Sequence, residues 1–532
     1  MLLQVAIMAV SFSDVAAQAG VRFSLNNSAS PEKHIIETMA GGLAMFDYDG
    51  DGLTDIFFTN GAAVPSMEKT APEFWNRLFR NEGNWKFRDV TESAGLRGTG
   101  YSMGAAAGDF DNDGYVDLFV TGVHHNALYR NLGNGKFEDV TATSGIGSGR
   151  WSVTAGWFDY DNDGLLDLFV VNYSNWSAKG ARFCGDLSRG IRVYCHPKYF
   201  EPVANHLYRN KGGGVFEDVS GRSGIAVHKG RGMGIAFADY DHDGRIDVFV
   251  TNDNLANFLF HNLGGGKFEE VALPAGVAMP DNGKPVSSMG TDWRDFDNDG
   301  KPDLIVTTLA GETYPLYRGA ERGAFRDATY SSRLAALTGN HSGWGVGWVD
   351  FNNDGLKDIF TANSHVNDLV EQFEAYKYKE PNSVFVNQGN GTFASAAESF
   401  AGIARAHRGA AFADLDNDGR VDIVVSALGE PAELWRNTSG GGAAAHWLRV
   451  VPRGTRSNRD GIGARISIGN QHDTMSTAGS YSSSSHYGLH FGLGSNAEPV
   501  TVIVQWPSGV VQKLEGVNTD RVLMVTEPAA AR

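Results

Sequence analysis

Short apolar, β-branched runs recur along the chain, each bounded by glycine and aspartate; Ile56-Phe57-Phe58-Thr59 and Leu118-Phe119-Val120-Thr121 are two of them. Runs this short between turn residues predict buried strands. Each follows the same nonapeptide, D-x-[D/N]-x-D-G-x-x-D, whose seven copies begin at Asp47, Asp109, Asp159, Asp239, Asp295, Asp350 and Asp414, separated by 62, 50, 80, 56, 55 and 64 residues. A Gly-rich strand precedes each copy. Its glycine stands five positions upstream in six of them (Gly42, Gly104, Gly234, Gly290, Gly345, Gly409), with Thr154 in the other. A second motif, L-[F/Y/W]-R-N followed by a Gly turn and F-x-D-V, alternates with the first; Leu128-Tyr129-Arg130-Asn131 with Phe137-Glu138-Asp139-Val140 is its cleanest copy. Each period thus holds about four strands and no helical pattern, which is the unit of a propeller blade.

The expected fold is all-β: a seven-bladed β-propeller over residues 12–442, with an insertion at about 174–203, followed by a small β-domain over 443–532. The seventh unit has Leu434-Trp435-Arg436-Asn437 but no F-x-D-V after it, whereas Phe12-Ser13-Asp14-Val15 matches Phe87-Arg88-Asp89-Val90. The N-terminus is therefore expected to supply the outer strand of the last blade and leave no propeller edge unpaired. Residues 1–11 read as a truncated secretory signal, apolar but without preceding basic residues, or as a strand. In the tail, the alternation of Val500-Thr501-Val502-Ile503-Val504 predicts strands. Its Ser482-Ser483-Ser484-Ser485-His486 run lacks a nucleophile elbow and reads as a polar strand or loop.

Composition narrows the function. With 532 residues the chain exceeds one conventional core, and Gly 67 against Pro 16 fits a turn-rich β architecture. The balance of 62 acidic to 45 basic residues, net −17, argues against binding a phosphate backbone and so against a nucleic-acid partner. No apolar stretch reaches the ~18 residues of a membrane span.

The acidic residues concentrate in the nonapeptides. Oxygen ligands at positions one, three, five and nine, a carbonyl at seven and a glycine at six suit a loop wrapped around a hard cation, with calcium the best fit. The candidate ligands are Asp47, Asp49, Asp51, Leu53 and Asp55; Asp109, Asp111, Asp113, Tyr115 and Asp117; Asp159, Asp161, Asp163, Leu165 and Asp167; Asp239, Asp241, Asp243, Arg245 and Asp247; Asp295, Asp297, Asp299, Lys301 and Asp303; Asp350, Asn352, Asp354, Leu356 and Asp358; and Asp414, Asp416, Asp418, Arg420 and Asp422. Carboxylates fill 27 of the 28 side-chain positions, Asn352 being the exception, and turn propensity alone does not require that. Without a counter-ion they would repel one another; seven Ca2+ would bring −17 to −3. An EF-hand would carry Glu at position twelve between helices, where the first copy has Phe58. The expected role of the ions is structural, pinning two strands of each blade.

The face opposite these loops gathers Arg97, Tyr101, Arg150, Trp151, His228, Arg231, His341, Trp344, His407 and Arg408 from the blade connections. They are expected to line a basic, aromatic funnel for an anionic or sugar ligand. Cys184 and Cys195, eleven residues apart in the insertion, can form a local disulfide or remain reduced core thiols, and the disulfide is the expectation.

The tandem loops resemble FG-GAP/VCBS repeats, as in the propellers of integrin α subunits. The tail segments His446-Trp447-Leu448, Gly454-Thr455-Arg456-Ser457-Asn458-Arg459-Asp460-Gly461, Phe491-Gly492-Leu493-Gly494 and Trp506-Pro507-Ser508-Gly509 resemble the ASPIC/UnbV domain. Together, and with Tyr194-Cys195-x-Pro197 in the insertion, they look like bacterial relatives of the cartilage acidic protein family. That resemblance implies an exported calcium-binding propeller, secreted, periplasmic or on the cell surface, and supplies no reaction. Two functions follow as expectations: an adhesion, scaffold or recognition module for a glycan or extracellular protein, or a carbohydrate-active lyase or hydrolase using His228, His341 or His407 in the funnel.

Overall fold

The computed structural model describes residues 10–529 apart from 148, 180, 181, 397, 401 and 441–444. Of the segment expected as a truncated signal or a strand, residues 1–9 lie outside the described residues, as does the boundary near 442. The chain is all-β with a few single helical turns.

Each nonapeptide is a hairpin loop. In the first repeat Leu43–Phe46 enters it and Asp55–Phe58 leaves it, paired antiparallel, and Arg77–Asn81 and Phe87–Asp89 complete a four-stranded meander. The other repeats follow the same order from the first strands Ser102–Gly108, Trp151–Phe158, Gly232–Ala238, Thr291–Arg294, Gly343–Val349 and His407–Ala413. In the last repeat the fourth position is taken by Phe12–Asp14, antiparallel to Glu433–Asn437 with Phe12 opposite Asn437. No sheet closes on itself among the described residues. Single turns such as Thr91–Ala94 and Ala272–Ala275 follow the outer strands; they are too short to show a helical period in sequence.

The runs after the nonapeptides are buried throughout, as in Asp55–Phe58 and Asp117–Gly122, because both faces of each sheet are covered by its neighbours. Each first strand contacts the first strand of the next repeat, and His407–Ala413 contacts Leu43–Phe46. Hydroxyls four residues after the ninth-position Asp reach across these contacts. Thr59 donates to the Met103 carbonyl (3.0 Å), Thr121 to Val153 (2.9 Å), Thr307 to Trp344 (2.8 Å) and Ser426 to Gly41. At the other end the L-x-R-N asparagines bridge backward, Asn131 to the Tyr48 carbonyl (2.7 Å), Asn210 to Phe110 (2.8 Å) and Asn81 to Leu415 (2.9 Å).

The tail forms two sheets, Leu489–Gly494 with His446–Arg453 and Arg521–Thr526, and Gln471–Thr474 with Arg465–Ile468, Val500–Gln505 and Val511–Val517. Their core, including Val450, Ile466, Phe491 and Trp506, is continuous with Phe110, Trp157 and Leu168 of the second and third repeats. The serine run lies where the first strands converge. Ser483–His486 joins the first repeat's sheet parallel to Leu43–Phe46. Around it the inner strand edges find acceptors: the Leu43 N–H donates to Ser483 Oγ (3.3 Å), Ala107 to Ser484 Oγ (3.2 Å), Val346 to Ser480 Oγ (3.1 Å) and Phe412 to Ser485 Oγ (3.0 Å). Ala105 and Thr291 donate to the Ser482 and Ser480 carbonyls, both at 3.1 Å. The polar run is thus an axle that satisfies buried backbone donors of five repeats.

This convergence explains the glycines upstream of the acidic loops. A Cβ on Gly42 would lie 2.1 Å from the Ser482 carbonyl oxygen and 2.6 Å from the Gly104 Cα, and one on Gly290 would lie 2.0 Å from the Trp344 carbonyl oxygen. Gly42→Ala should lower stability by about 2 kcal/mol or more through overpacking against backbone. Gly221→Ala, with nothing within 4 Å of the new methyl, should leave it unchanged. Paired thermal melts check both outcomes.

Candidate functional site

The acidic loops are built by their own carboxylates. In the first, the Asp47 oxygens accept the N–H groups of Gly50 (2.8 Å), Asp51 (3.1 Å) and Gly52 (2.8 Å), and Asp51 accepts that of Leu53 (2.9 Å). Asp55, buried at position nine, accepts from Tyr48 (3.0 Å) and from Asn81 of the third strand (2.7 Å). The glycine at position six is left-handed in every loop, with φ between +84° at Gly244 and +94° at Gly114, a conformation that excludes most side chains. Position four is left-handed as well, and its side chain ties one loop to the next: Asn112 donates to the Gly164 carbonyl (2.9 Å), Asn298 to Gly355 (2.9 Å) and Asn353 to Gly419 (2.8 Å).

Calcium fits this donor set. Single carboxylate oxygens of Asp47, Asp49 and Asp55, of Asp109, Asp111 and Asp117, and of Asp159, Asp161 and Asp167 converge within 4.8 Å. At position three, one buried oxygen each of Asp49, Asp161 and Asp416 has no hydrogen-bond partner, an arrangement that is costly unless a cation occupies the space. Burial pushes Asp109, Asp159 and Asp350 up to about 7 and Asp295 and Asp414 up to about 6. Desolvation is the main cause in each, and like charge on neighbouring Asp residues adds to it.

The protein itself supplies part of the counter-charge. The L-x-R-N arginines lie against positions three and five: Arg80 on Asp49 (2.6 Å) and Asp51 (3.0 Å), Arg130 on Asp111 (2.6 Å), Arg209 on Asp161 (2.7 Å), Arg318 on Asp297 (2.5 Å) and Arg436 on Asp416 (3.1 Å). His261 takes this place in the fourth repeat, 3.2 Å from Asp247. In the sixth, Val386 replaces the arginine where Asn352 replaces the aspartate, and Asn352 donates to Asp354 (2.9 Å). Charge is dropped from both partners together, a signal present in the sequence but visible only once the two motifs are known to touch.

The tail is seated on the same face. The Asp109 N–H donates to Asp460 (2.8 Å), the Arg459 N–H to Asn112 (2.7 Å), Arg465 to the Gly300 carbonyl (2.9 Å), and His490 pairs with Asn353 (2.7 Å). Behind these contacts a largely buried Arg294 pairs with Asp473 (2.9 Å) and lies 3.5 Å from Asp292.

The opposite face departs from the expected basic funnel. Tyr101, Trp151, Trp344, His407 and Arg408 are wholly buried, and Arg231 nearly so. Arg408 stacks on Trp344 (3.9 Å) and donates to the Thr38 carbonyl (2.5 Å). Arg97 pairs with Glu92 and stacks on Trp75 (4.2 Å). His341 is held by Glu380 (2.8 Å), His407 by Glu433 (3.1 Å), and His228 packs on Phe258 and Phe260. Arg150 is half-buried at the edge of the third repeat. These residues are engaged in contacts within and between the repeats, as long side chains in the connections can cover apolar surface there. A cavity of about 280 Å3 does open on this side, but of the ten expected residues it is lined only by Trp344. Its other walls include Met39, Tyr173, Tyr194, Met233, Asp253, Met289 and Glu312, so its charged groups are acids. The Cys184–Cys195 disulfide is formed and carries Tyr194, Cys195, His196 and Pro197 into one wall.

The fold and the site together define a repetitive β-protein with one acidic, cation-suited loop per repeat. The FG-GAP-like repeat model matches residues 47–120, 109–170, 199–250, 239–306, 295–361 and 368–425, and the ASPIC and UnbV model matches 454–532. The chain belongs to the FG-GAP-like repeat family and ends in an ASPIC and UnbV domain. Cartilage acidic protein 1 of Homo sapiens is 28% identical over 334 residues, which take in 58% of this chain and 45% of that protein. That of Mus musculus is 27% identical over 339 residues, or 58% and 46%. The chain therefore matches less than half the length of these relatives. Among solved structures, one showing recognition of non-reducing terminal N-acetylglucosamine by an Agrocybe aegerita lectin is similar over 74% of this chain and 87% of its own, with 15% identity and a TM-score of 0.40.

The raised carboxylates set a pH dependence. In the fold Asp109 and Asp159 hold a proton up to about 7, whereas unfolded they release it near ~3.9. The native state therefore binds more protons across this window, and stability must fall as pH rises from about 4 to about 7. Carboxylates shifted the other way, such as Glu527 at about 2, act below it. In chelator the melting temperature should fall from pH 4 to pH 7. With saturating calcium it should instead rise, because the ligands bind deprotonated. Melts in both buffers test the sign.

Proposed function

We propose that the repeats form a closed seven-bladed β-propeller that binds calcium, up to one ion per blade, at the candidate residues named above. The ring is closed by Phe12–Asp14. Its support is the succession of first-strand contacts that returns from the last repeat to the first, together with the Ser426–Gly41 hydrogen bond. The calcium reading is carried by the partnerless buried oxygens at position three of three loops. The ions pin the hairpin of each blade and firm the surface on which the tail sits.

The protein then acts outside the cytoplasm as a recognition or scaffold module for a glycan or protein partner, in keeping with its disulfide and with calcium affinities of ~10⁻⁴–10⁻³ M typical of extracellular modules. No helix of the described residues is long and apolar enough to cross a membrane. A binding module is favoured over an enzyme because His228, His341 and His407 are each engaged in separate structural contacts.

Calorimetric titration of chelated protein with calcium tests the proposal. Several sites should appear, and Asp161→Asn should remove about one of them while lowering the melting temperature in calcium by mass action. Absence of calcium heat together with melting unchanged by chelator would overturn it.

A further inference from the structure

The insertion over residues 174–203 differs in charge from the chain that carries it. It holds five basic residues, Lys179, Arg182, Arg189, Arg192 and Lys198, against the two acids Asp186 and Glu201, in a chain where 62 acidic residues outnumber 45 basic ones. In the repeats, arginines such as Arg80, Arg130 and Arg209 are engaged by the acidic loops. Among the described residues none of the five basic groups of the insertion forms an ion pair.

The disulfide is what brings these cations together. A short hairpin, Gly185–Asp186 paired with Ile191–Arg192, rises from the Cys184–Cys195 bridge. Arg182 and Phe183 stand just before Cys184, and Lys198 and Tyr199 belong to the single turn Pro197–Tyr199 just after Cys195. The bridge sets these two pairs side by side. The Arg182 guanidinium lies 4.6 Å from the centre of the Tyr199 ring, and the Lys198 ammonium lies 5.2 Å from the centre of the same ring. Arg192 lies over Phe183 at 5.7 Å and donates to the Arg182 carbonyl (3.2 Å). Contact with a ring restrains a long side chain without neutralising it. Arg182, Arg189 and Lys198 remain exposed, as do the outer parts of Phe183 and Tyr199. Two cations on one ring repel each other, and an anion beside them relieves that repulsion.

We propose that this stapled surface binds an acidic polysaccharide, one that carries sulfate or carboxylate groups along its length. The proposal rests on the reading of the chain as an extracytoplasmic recognition module and names a ligand class for it. Guanidinium and ammonium groups without carboxylate partners keep N–H donors free for sulfate or carboxylate oxygens. The Phe183 and Tyr199 rings are already covered by cations, so recognition runs through charge and not through stacking on a sugar ring. The cations stand on an open hairpin and turn, which suits an anion repeated along a chain. The acidic loops lie on the other face, and their repulsion of such a ligand is screened over ~8 Å at physiological ionic strength.

The test is calorimetric titration of the full chain, in calcium, with dextran sulfate, carboxymethyl-dextran and unmodified dextran, which share one backbone. Dextran sulfate or carboxymethyl-dextran should bind, the tighter of the two showing which anionic group is preferred, and unmodified dextran should not. Arg182→Ala/Lys198→Ala should weaken binding at least about tenfold, as expected for the loss of two charge-assisted contacts. Lys86→Ala/Lys136→Ala, which removes two exposed lysines of the first two repeats, should leave it unchanged. Thermal melts of the same samples show that each variant is folded. Absence of binding by both anionic dextrans, equal weakening by the two double variants, or tighter binding of duplex DNA or polyglutamate than of either anionic dextran would overturn the proposal. Free thiols at Cys184 and Cys195 in protein from its own cells, read by mass spectrometry without reduction, would instead overturn the extracytoplasmic reading.

Discussion

The constraint on which this structure depends is backbone hydrogen bonding where the first strands converge. A strand at the inner edge of each sheet has N–H groups facing neither a next strand nor water, and a buried donor left unpaired costs ~1–3 kcal/mol. The chain meets this with its own tail: the carbonyls and hydroxyls from Ser480 to Ser485 accept from Leu43, Ala105, Ala107, Thr291, Val346 and Phe412. Serine suits this place because its hydroxyl is short, can both donate and accept, and leaves room for several strands at once. The tail and the repeats are therefore one packing unit, as their shared hydrophobic cluster also shows.

The acidic loops place a second demand on the fold. They concentrate negative charge at positions that burial makes costly, and two devices offset it within the described residues. Position-one and position-nine carboxylates accept backbone N–H groups, while arginines from the third strand lie over positions three and five. One third-position oxygen each of Asp49, Asp161 and Asp416 is satisfied by neither. That residue of unpaired acceptor is what a divalent cation would take up, and it lies on the face where the tail docks through Asp460, Arg465 and His490. The two faces thus divide their chemistry, with hard oxygen donors and polar docking on one side, and rings, thioethers and two carboxylates around a cavity on the other.

By itself the sequence determined the elements that repeat. Seven nonapeptides, the buried run after each, the glycine at position six and the strand match of Phe12-Ser13-Asp14 were legible because local geometry dictates them: a left-handed turn demands glycine, and a strand buried on both faces demands an apolar run. The family resemblance was legible for the same reason. What only the tertiary structure decided is which distant residues meet. The arginine of L-x-R-N reads as a strand residue until the third strand lies beside the loop. Asn112 and Asn298 read as turn formers until they reach the next loop. Ser482 to Ser485 read as a polar strand or loop until the inner edges of several repeats meet around them. The basic funnel failed on this point: Arg408, Trp151 and His407 are placed in connections by sequence, but whether such side chains face solvent or fill a seam depends on the separation of neighbouring sheets, which no local pattern encodes. For the same reason Tyr173, Asp253 and Glu312, scattered over three repeats, become one cavity wall only when the repeats are packed together.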